Sequence, residues 1–233
     1  MDLPPLITGT LIKRYKRFLA DVKLDSGEEI TAHVANPGSM KGVSSPSAKV
    51  WLSTSDNPKR KLKHSWELLQ VDDALVGINT MRPNGIVEEA ILGDKISELA
   101  GYATLRREVK YGKNSRIDIL LEDGADNRPC YVEIKNVTLS PSPPLAEFPD
   151  SITERGRKHL VELGDMVEQG SRAVMIYLVQ RTDCDRFSLA REIDPKYAET
   201  LDSAMKRGVE VLVYGCDISP KFITVSNALT LEL

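Results

Sequence analysis

The spacing of hydrophobic positions divides the chain into two parts with different rhythms. Over the first eighty residues, apolar residues occur in short or alternating runs, separated by turn-forming segments such as 25–27 and 36–39. Several short strands broken in this way indicate a small antiparallel β-barrel or sandwich. The predicted strands cover 8–13, 18–24, 29–34, 49–53 and 67–71.

Beyond residues 80–85 the spacing changes to that of alternating strands and helices. Helices are predicted over 86–100, from Ser151 onward and over 195–207. Strands are predicted over 105–111, 116–121, 130–137, 172–180 and 209–214. Strand–helix–strand order requires right-handed crossovers, so the sheet should be parallel here, with helices on both faces. We therefore predict an α/β protein with a barrel at 1–82 and an α/β domain at 83–233.

Composition is ordinary for a globular protein, but charge is unevenly distributed. Of 233 residues, 41% are hydrophobic and 28% charged, with a net charge of -3. Residues 10–66 contain eleven Lys or Arg against five Asp or Glu, whereas 81–233 contain twenty against twenty-five. A basic front half beside an acidic back half suits a phosphate-binding surface joined to a cation-binding one; ordinary solvated faces are the alternative.

Several classes of protein are not indicated. The N-terminal sequence lacks the pattern of a signal peptide, and no apolar stretch is long enough to span a membrane. Cys130, Cys184 and Cys216 lack metal-type spacing and suit a reducing compartment, so we expect a cytoplasmic protein without a membrane partner. P-loop, G-x-S-x-G and H-E-x-x-H motifs are absent.

Two predicted strands place acidic side chains at facing positions. Side chains two apart on a strand share a face, so Glu133 lies beside Lys135 and Asp118 beside Arg116. A hairpin centred on 122–129 sets Asp118 directly opposite Glu133, where two carboxylates repel unless they share a proton or a cation. By the same alternation, Ile117 and Ile119 should lie together on the opposite face.

A hard divalent ion bound between the two carboxylates would offset this repulsion. Mg²⁺, or Mn²⁺, binds oxygen ligands and typically uses one or two carboxylates together with waters and substrate phosphate. Such an ion activates water and offsets charge developing on phosphorus, while Lys135 beside it would stabilise the transition state. Asp118, Glu133 and Lys135 are therefore the predicted catalytic residues. Exposed strand residues without chemistry are the alternative.

The same residues carry a resemblance to known proteins. Asp118 with Glu133-x-Lys135 resembles the PD-(D/E)xK nuclease core, and longer stretches resemble the sugar fermentation stimulation protein A (SfsA) family. Those stretches are RYKRFLADV (14–22), HVANPGSM (33–40), VWLSTSDNPKRK (50–61), SRIDILL (115–121), YVEIKNVTL (131–139) and FPDSITERGRKHL (148–160). The resemblance implies an N-terminal OB-like barrel, a C-terminal α/β PD-(D/E)xK nuclease-like domain with a mixed central sheet, and DNA binding.

The resemblance also assigns roles to residues around this core. Glu89, on the helix before the strands, is a third metal ligand in this interpretation, with plain solvation as the alternative. Arg155 and His159 lie one helical turn apart, near Lys158, and could hold a phosphate beside the metal. His159 could instead only border the apolar stripe of its helix.

Basic residues near aromatic ones are the predicted nucleic-acid contacts, because OB-folds bind single strands with cations and stacking rings. The core is the more natural place for Phe18 and Trp66. The predicted contacts are Arg14, Lys16, Arg17, Lys59, Arg60, Lys61, Arg116, Arg155, Lys158 and His159.

The leading interpretation is a DNA-binding protein with Mg²⁺-dependent phosphodiesterase activity. The rival is a DNA-binding regulator of sugar-utilisation genes that retains a nuclease fold without cutting. The intact Asp118, Glu133 and Lys135 favour the enzyme, and the regulatory reputation of the family favours the rival. RNA processing is a third interpretation. Proteins distinguish RNA from DNA by contacts to the 2′-OH, and no feature of the sequence shows whether such contacts exist.

Overall fold

The short apolar runs of the N-terminal part form a closed β-barrel in the computed structural model, which describes residues 1–232. The strands are β1 (Leu6–Tyr15), β2 (Leu19–Leu24), β3 (Glu29–His33), β4 (Lys49–Thr54), β5 (His64–Val71) and β6 (Ala74–Gly77). Their order is β3-β2-β1-β4-β5-β6, and β3 also pairs with β5, which closes the first five strands into a barrel. The OB-like barrel is therefore confirmed.

Alternate side chains of these strands fill the barrel. Trp66 and Leu52 are fully buried, and the Trp66 Nε1–H donates to the Leu68 carbonyl at 2.9 Å, so its polar atom is satisfied. Trp66 is therefore a core residue, as expected. The same expectation is wrong for Phe18, which is 44% exposed in the β1–β2 turn.

The C-terminal part alternates helices with strands, as its hydrophobic spacing predicts. Its elements are α1 (Pro83–Leu92), β7 (Thr104–Tyr111), β8 (Ser115–Glu122), β9 (Cys130–Val137), β10 (Leu139–Ser142), β11 (Leu145–Phe148), α2 (Glu154–Glu168), β12 (Arg172–Val179), β13 (Arg186–Leu189), α3 (Pro195–Lys206), β14 (Glu210–Ile218), β15 (Ile223–Ala228) and β16 (Thr230–Glu232).

A mixed six-stranded sheet is the centre of this domain. Its order is β15-β14-β12-β9-β8-β7, and β12 runs parallel to both β9 and β14, which confirms the predicted parallel region. The apolar side chains of α1 pack on one face of the sheet, and those of α2 and α3 pack on the other. The helices therefore cover both faces, as predicted.

A second, four-stranded sheet was not predicted. Its strand order is β10-β11-β13-β16, and β11 is the last strand before α2. That helix begins at Glu154 with Thr153 as its N-cap, and the Thr153 hydroxyl accepts a hydrogen bond from the Gly156 N–H at 3.1 Å. The predicted helix start at Ser151 is therefore wrong.

Backbone pairing and a buried ion pair join the two parts. The Gly77 N–H donates to the Gln180 carbonyl at 3.0 Å. Glu67, which is 2% exposed, accepts hydrogen bonds from the Arg82 guanidinium at 3.0 and 3.1 Å and from the Asn79 amide at 2.7 Å. Since Arg82 directly precedes α1, these contacts fix the helix relative to the barrel.

The first residues pack on the C-terminal domain. Leu3 is buried in the apolar cluster beneath α1, and its N–H donates to the Lys221 carbonyl at 2.8 Å. The barrel strands themselves occupy Leu6–Gly77, so the predicted barrel range of 1–82 includes an N-terminal segment that belongs with the other domain. Within residues 1–232, no helix has the length and apolarity to cross a membrane.

Candidate active site

A cleft of about 630 Å³ opens where the barrel, the central sheet and the four-stranded sheet meet. Asp118, Glu133 and Lys135 all line it, together with Arg155 from the start of α2. The structure thus brings together the residues that the sequence assigns to catalysis. It adds the barrel segment 36–38, which lies in one of the predicted turns.

The register of β8 and β9 is the predicted one. Ile119 pairs with Val132, and the backbone ladder ends there, one step before Asp118. Beyond this point the Asp118 side chain, instead of the backbone, bonds to β9: its Oδ2 accepts from the Ile134 N–H at 2.8 Å. Its Oδ1 accepts from the Asn84 amide at 2.9 Å. Asp118 is therefore held from two sides, by β9 and by the first turn of α1.

The alternation of β8 is interrupted at Asp118. Ile119 packs in the cluster beneath α1, whereas Ile117 packs in the cluster beneath α2 and α3. The prediction that Ile117 and Ile119 share a face is therefore wrong. Opposite this interruption in β7 lies Glu108, whose φ of +54° is in the left-handed region. Local strand irregularities of this kind re-aim side chains beside active sites.

Glu133 is almost completely buried, at 2% exposure. Its Oε1 accepts from the Lys135 ammonium group at 2.5 Å and is also contacted by Nδ1 of His159. Its Oε2 has no hydrogen-bond partner within residues 1–232. A buried carboxylate oxygen without a partner lowers the stability of the folded protein. The oxygen ligands at this point therefore suit a cation.

The two carboxyl groups differ in pKa. Burial raises the pKa of Asp118 to about 6, and the negative charge of Glu133 adds to the rise. Burial also raises the pKa of Glu133, but Lys135 and His159 more than offset this, and the pKa lies below its usual value. At neutral pH the pair therefore carries negative charge that a cation would stabilise.

The contribution of Asp118 to the stability of the metal-free protein should be lost as pH rises from about 4 to 7. The pKa of Asp118 is near 3.9 when unfolded and about 6 when folded, so its contribution is complete below pH ~4 and is lost as pH rises through 6. The low pKa of Glu133 acts in the opposite direction, and its contribution is lost only below pH ~4.5.

Urea denaturation of wild type and Asp118→Asn in EDTA measures this effect. We expect the free energy of unfolding of wild type, relative to the variant, to fall by on the order of 1–2 kcal/mol across the interval. A constant difference between the two proteins would show that Asp118 does not titrate in this range.

His159 contacts the buried Glu133 carboxylate and does not face the solvent side of the cleft. It is 4% exposed, and both ring nitrogens are used, since Nδ1 contacts Glu133 and Nε2 accepts from Arg155 Nε at 3.3 Å. The structure thus leaves His159 no free ring nitrogen for the predicted phosphate contact. Arg155 is exposed and lines the cleft, where its guanidinium can reach a phosphate.

Glu89 lies outside the cleft, and its prediction as a third metal ligand is wrong. Its carboxylate is 57% exposed and pairs with the Met1 ammonium group at 2.5 Å. Asn84 is the α1 residue that contacts Asp118, and Glu89, five residues later, points about 140° away. Glu108 lines the cleft instead. Within residues 1–232, no three His, Cys, Asp or Glu side chains converge as a preformed metal site.

Arg14 holds the barrel segment that borders the cleft. Its guanidinium donates to the carbonyls of Asn36 and Ser39, each at 3.1 Å, and of Gly38 at 3.0 Å. These contacts commit its terminal nitrogens to the protein, so the structure favours a structural role over the predicted nucleic-acid contact.

Asp150 ties the same segment to the C-terminal domain. Its Oδ2 accepts from the Met40 N–H at 2.9 Å and from the Ser39 hydroxyl at 3.1 Å. Gly38 is required by this close approach, because a β-carbon there would lie 2.8 Å from Asp150 Oδ2. The two sides of the cleft are therefore fixed to each other.

The other predicted nucleic-acid contacts of the barrel lie at the same end as the cleft. They are exposed in two loops: Lys16 and Arg17 between β1 and β2, and Lys59, Arg60 and Lys61 between β4 and β5. His33, the last residue of β3, pairs with Leu19 after the first loop and with Ser65 after the second. Because β3 continues into segment 36–38, both basic loops border the cleft end of the barrel.

Arg116 and Lys158 lie apart from the cleft. Arg116 lines a smaller hollow of about 370 Å³ at the β7–β8 turn, together with Lys110. The Lys158 ammonium group donates to the Lys113 carbonyl at 2.8 Å. Their predicted contacts with nucleic acid would therefore involve a second surface.

Comparisons with known proteins agree with this architecture. The family model described as the sugar fermentation stimulation protein RE domain matches residues 81–222, and that of the SfsA N-terminal OB domain matches 12–78. The sugar fermentation stimulation protein homolog of Paramagnetospirillum magneticum is 57% identical over 230 residues, covering 98% of this chain and 96% of the relative. That of Maricaulis maris is 54% identical over 228 residues, covering 98% and 97%.

A solved structure shares the whole fold. SfsA of Pyrococcus furiosus in complex with Ca²⁺ superimposes with a TM-score of 0.90 at 25% identity, covering 100% of this chain and 98% of that chain.

Proposed function

Because this chain belongs to the sugar fermentation stimulation protein family, we propose that it binds DNA and hydrolyses phosphodiester bonds with Mg²⁺ or Mn²⁺. The observation that carries the proposal is the unpartnered Oε2 of buried Glu133, beside Asp118 and Lys135 in one cleft. An oxygen-rich, negatively charged pair with a neighbouring lysine suits metal-assisted hydrolysis.

Asp118 and Glu133 would hold the ion. Two carboxylates, completed by waters and a substrate phosphate, are what Mg²⁺ typically takes from a protein. The Ca²⁺ in the Pyrococcus furiosus relative supports a hard divalent cation in this fold. When bound, the ion would lower the pKa of a coordinated water and offset negative charge on the phosphate.

Side chains around the pair have distinct tasks. Lys135 places a positive charge in the cleft, where it stabilises negative charge developing on phosphoryl oxygens. Arg155 offers its guanidinium to a neighbouring phosphate. His159 positions Glu133 by hydrogen bonding, as groups behind metal ligands commonly do.

The barrel supplies the DNA-binding surface in this proposal. OB-folds bind oligonucleotides with the loop between strands 1 and 2 and the loop between strands 4 and 5. Here these loops carry Lys16 and Arg17, and Lys59, Arg60 and Lys61, at the cleft end of the barrel. DNA held on these loops would therefore lead into the cleft.

Alanine at Lys59, Arg60 and Lys61 together should flatten the salt dependence of DNA binding. Each phosphate contact contributes about 0.9 to the slope of log K against log salt, so the slope should fall by about 2 to 3. Fluorescence anisotropy with several unrelated DNA sequences measures it. A matched triple variant removes remote exposed lysines: Lys95, Lys206 and Lys221. Equal slopes for both triple variants would place the binding surface elsewhere.

The relatives are named for stimulation of sugar fermentation, and an effect of that kind suits one further candidate, a DNA-binding regulator that does not cut. Incubation with single- and double-stranded DNA and with RNA, with and without Mg²⁺ or Mn²⁺, separates the two. We expect metal-dependent DNA cleavage that Lys135→Ala slows by about 10²- to 10³-fold. DNA binding without cleavage in either metal would establish the regulator instead.

A further inference from the structure

Among residues 1–232, the two most exposed large hydrophobic side chains both line the active-site cleft. Met81 is 77% exposed and Ile152 is 70% exposed. Leu92, at 69%, is the next most exposed and lies at the end of α1, outside the cleft. Single exposed hydrophobic residues are common on protein surfaces. Two that border one polar cleft point to an apolar part of its ligand.

The backbone that carries Met81 is fixed on the barrel side. The Met81 N–H donates to the Asn79 side chain at 3.0 Å. The preceding Thr80 donates to the Ala35 carbonyl twice, from its N–H at 2.9 Å and from its hydroxyl at 2.8 Å. The side chain is therefore presented to solvent from an anchored position.

The backbone around Ile152 is fixed in the C-terminal domain. The following residue, Thr153, caps α2, and its N–H donates to Asp194 Oδ2 at 2.8 Å. Asp194 is itself 2% exposed. A fixed backbone lowers the entropy that binding costs, and both Met81 and Ile152 lie on fixed backbone.

We propose that Met81 and Ile152 contact nucleobases next to the phosphate in the cleft and unstack them. This inference rests on the proposed function and names its substrate form, which is DNA that is single-stranded or locally opened where it is cut. Lys135 and Arg155 complement the phosphate, and the two apolar side chains complement base faces. Proteins that open base steps do so with inserted residues of this kind.

Fluorescence of 2-aminopurine, which increases when the base is unstacked, tests the inference with the full-length protein. The probe is a DNA duplex with 2-aminopurine at one position, bound in Ca²⁺, with electrophoresis to verify that it stays intact. We expect wild type to raise the fluorescence about threefold or more. Met81→Ser/Ile152→Ser should lose most of that rise, while Met81→Leu/Ile152→Leu and the control Leu92→Ser should keep it.

The outcomes distinguish the unstacking role of Met81 and Ile152 from the proposed function. The exposure of both side chains makes the serine variant fold as wild type, with stability within about 0.5 kcal/mol. If wild type binds and cleaves DNA without a fluorescence rise, or if the serine variant keeps the full rise, the unstacking role is overturned and the nuclease proposal stands. If wild type binds no DNA at all, both fail, and a protein partner becomes the occupant to test.

Discussion

Replacing Lys135 with alanine is expected to slow phosphodiester cleavage by about 10²- to 10³-fold, the usual cost of losing one group that stabilises a transition-state charge. The Lys135 side chain is only 15% exposed, and its Nζ lies 2.5 Å from Glu133 Oε1 in the cleft. Water compensates poorly for a charge lost from so enclosed a position. Stabilisation by metal should persist, because lysine is not a ligand.

Single-turnover assays at saturating DNA separate this chemical effect from binding. Lys206→Ala removes an exposed lysine from the end of α3 and should keep the full rate. Lys135→Arg should recover only part of it, because a planar guanidinium does not place its charge as an ammonium group does. Cleavage by Lys135→Ala at the wild-type rate would leave the lysine with a purely structural role.

Arg82→Ala should lower the free energy of unfolding by about 3 kcal/mol, at the lower end for a broken buried ion pair. The Glu67 carboxylate is 2% exposed, and Arg82 gives it two hydrogen bonds that no other cation replaces within residues 1–232. The loss should extend to the cleft, because Asn84, two residues later, holds Asp118.

Urea denaturation measures this loss against a surface ion pair. Arg191 makes two hydrogen bonds to Asp202, at 3.0 and 3.1 Å, but both side chains are more than a third exposed. Arg191→Ala should therefore cost less than about 1 kcal/mol. If Arg82→Ala costs no more than Arg191→Ala, the pair with Glu67 does not secure the junction.

The central sheet was largely predictable because its strands are local patterns. The predicted range 130–137 coincides with β9, and the short connection to β8 was enough to set the register that places Asp118 beside β9. The four-stranded sheet could not be found in this way. Its strands are only three or four residues long, too short to show a period, and they pair across distant parts of the chain.

The same difference between local patterns and long-range packing explains which residues of the candidate site could be predicted. Asp118, Glu133 and Lys135 lie on neighbouring strands, so strand geometry alone brings them together. Asn84 and Glu108 reach the cleft only through the packing of α1 and the irregularity in β7, which the hydrophobic pattern does not encode.

The family resemblance assigns Glu89 as a ligand, and the predicted start of the helix offers no alternative to it. The helix was predicted to begin at residue 86, but α1 begins at Pro83, so Asn84 was left outside the helix whose first turn contacts Asp118. Proline at the first helical position is a recognised start signal, and it would have placed Asn84 in that first turn.

Calorimetric melting of wild type and Asp118→Asn with titrated Mg²⁺ or Mn²⁺ tests most directly whether Asp118 and Glu133 share a cation. Metal at 100 times its Kd should stabilise wild type by about 2.7 kcal/mol and raise its melting temperature. Asp118→Asn removes a repelling charge and a ligand together, so it should be at least as stable as metal-free wild type and gain little from metal. Equal gains in melting temperature for the two proteins would contradict the shared cation.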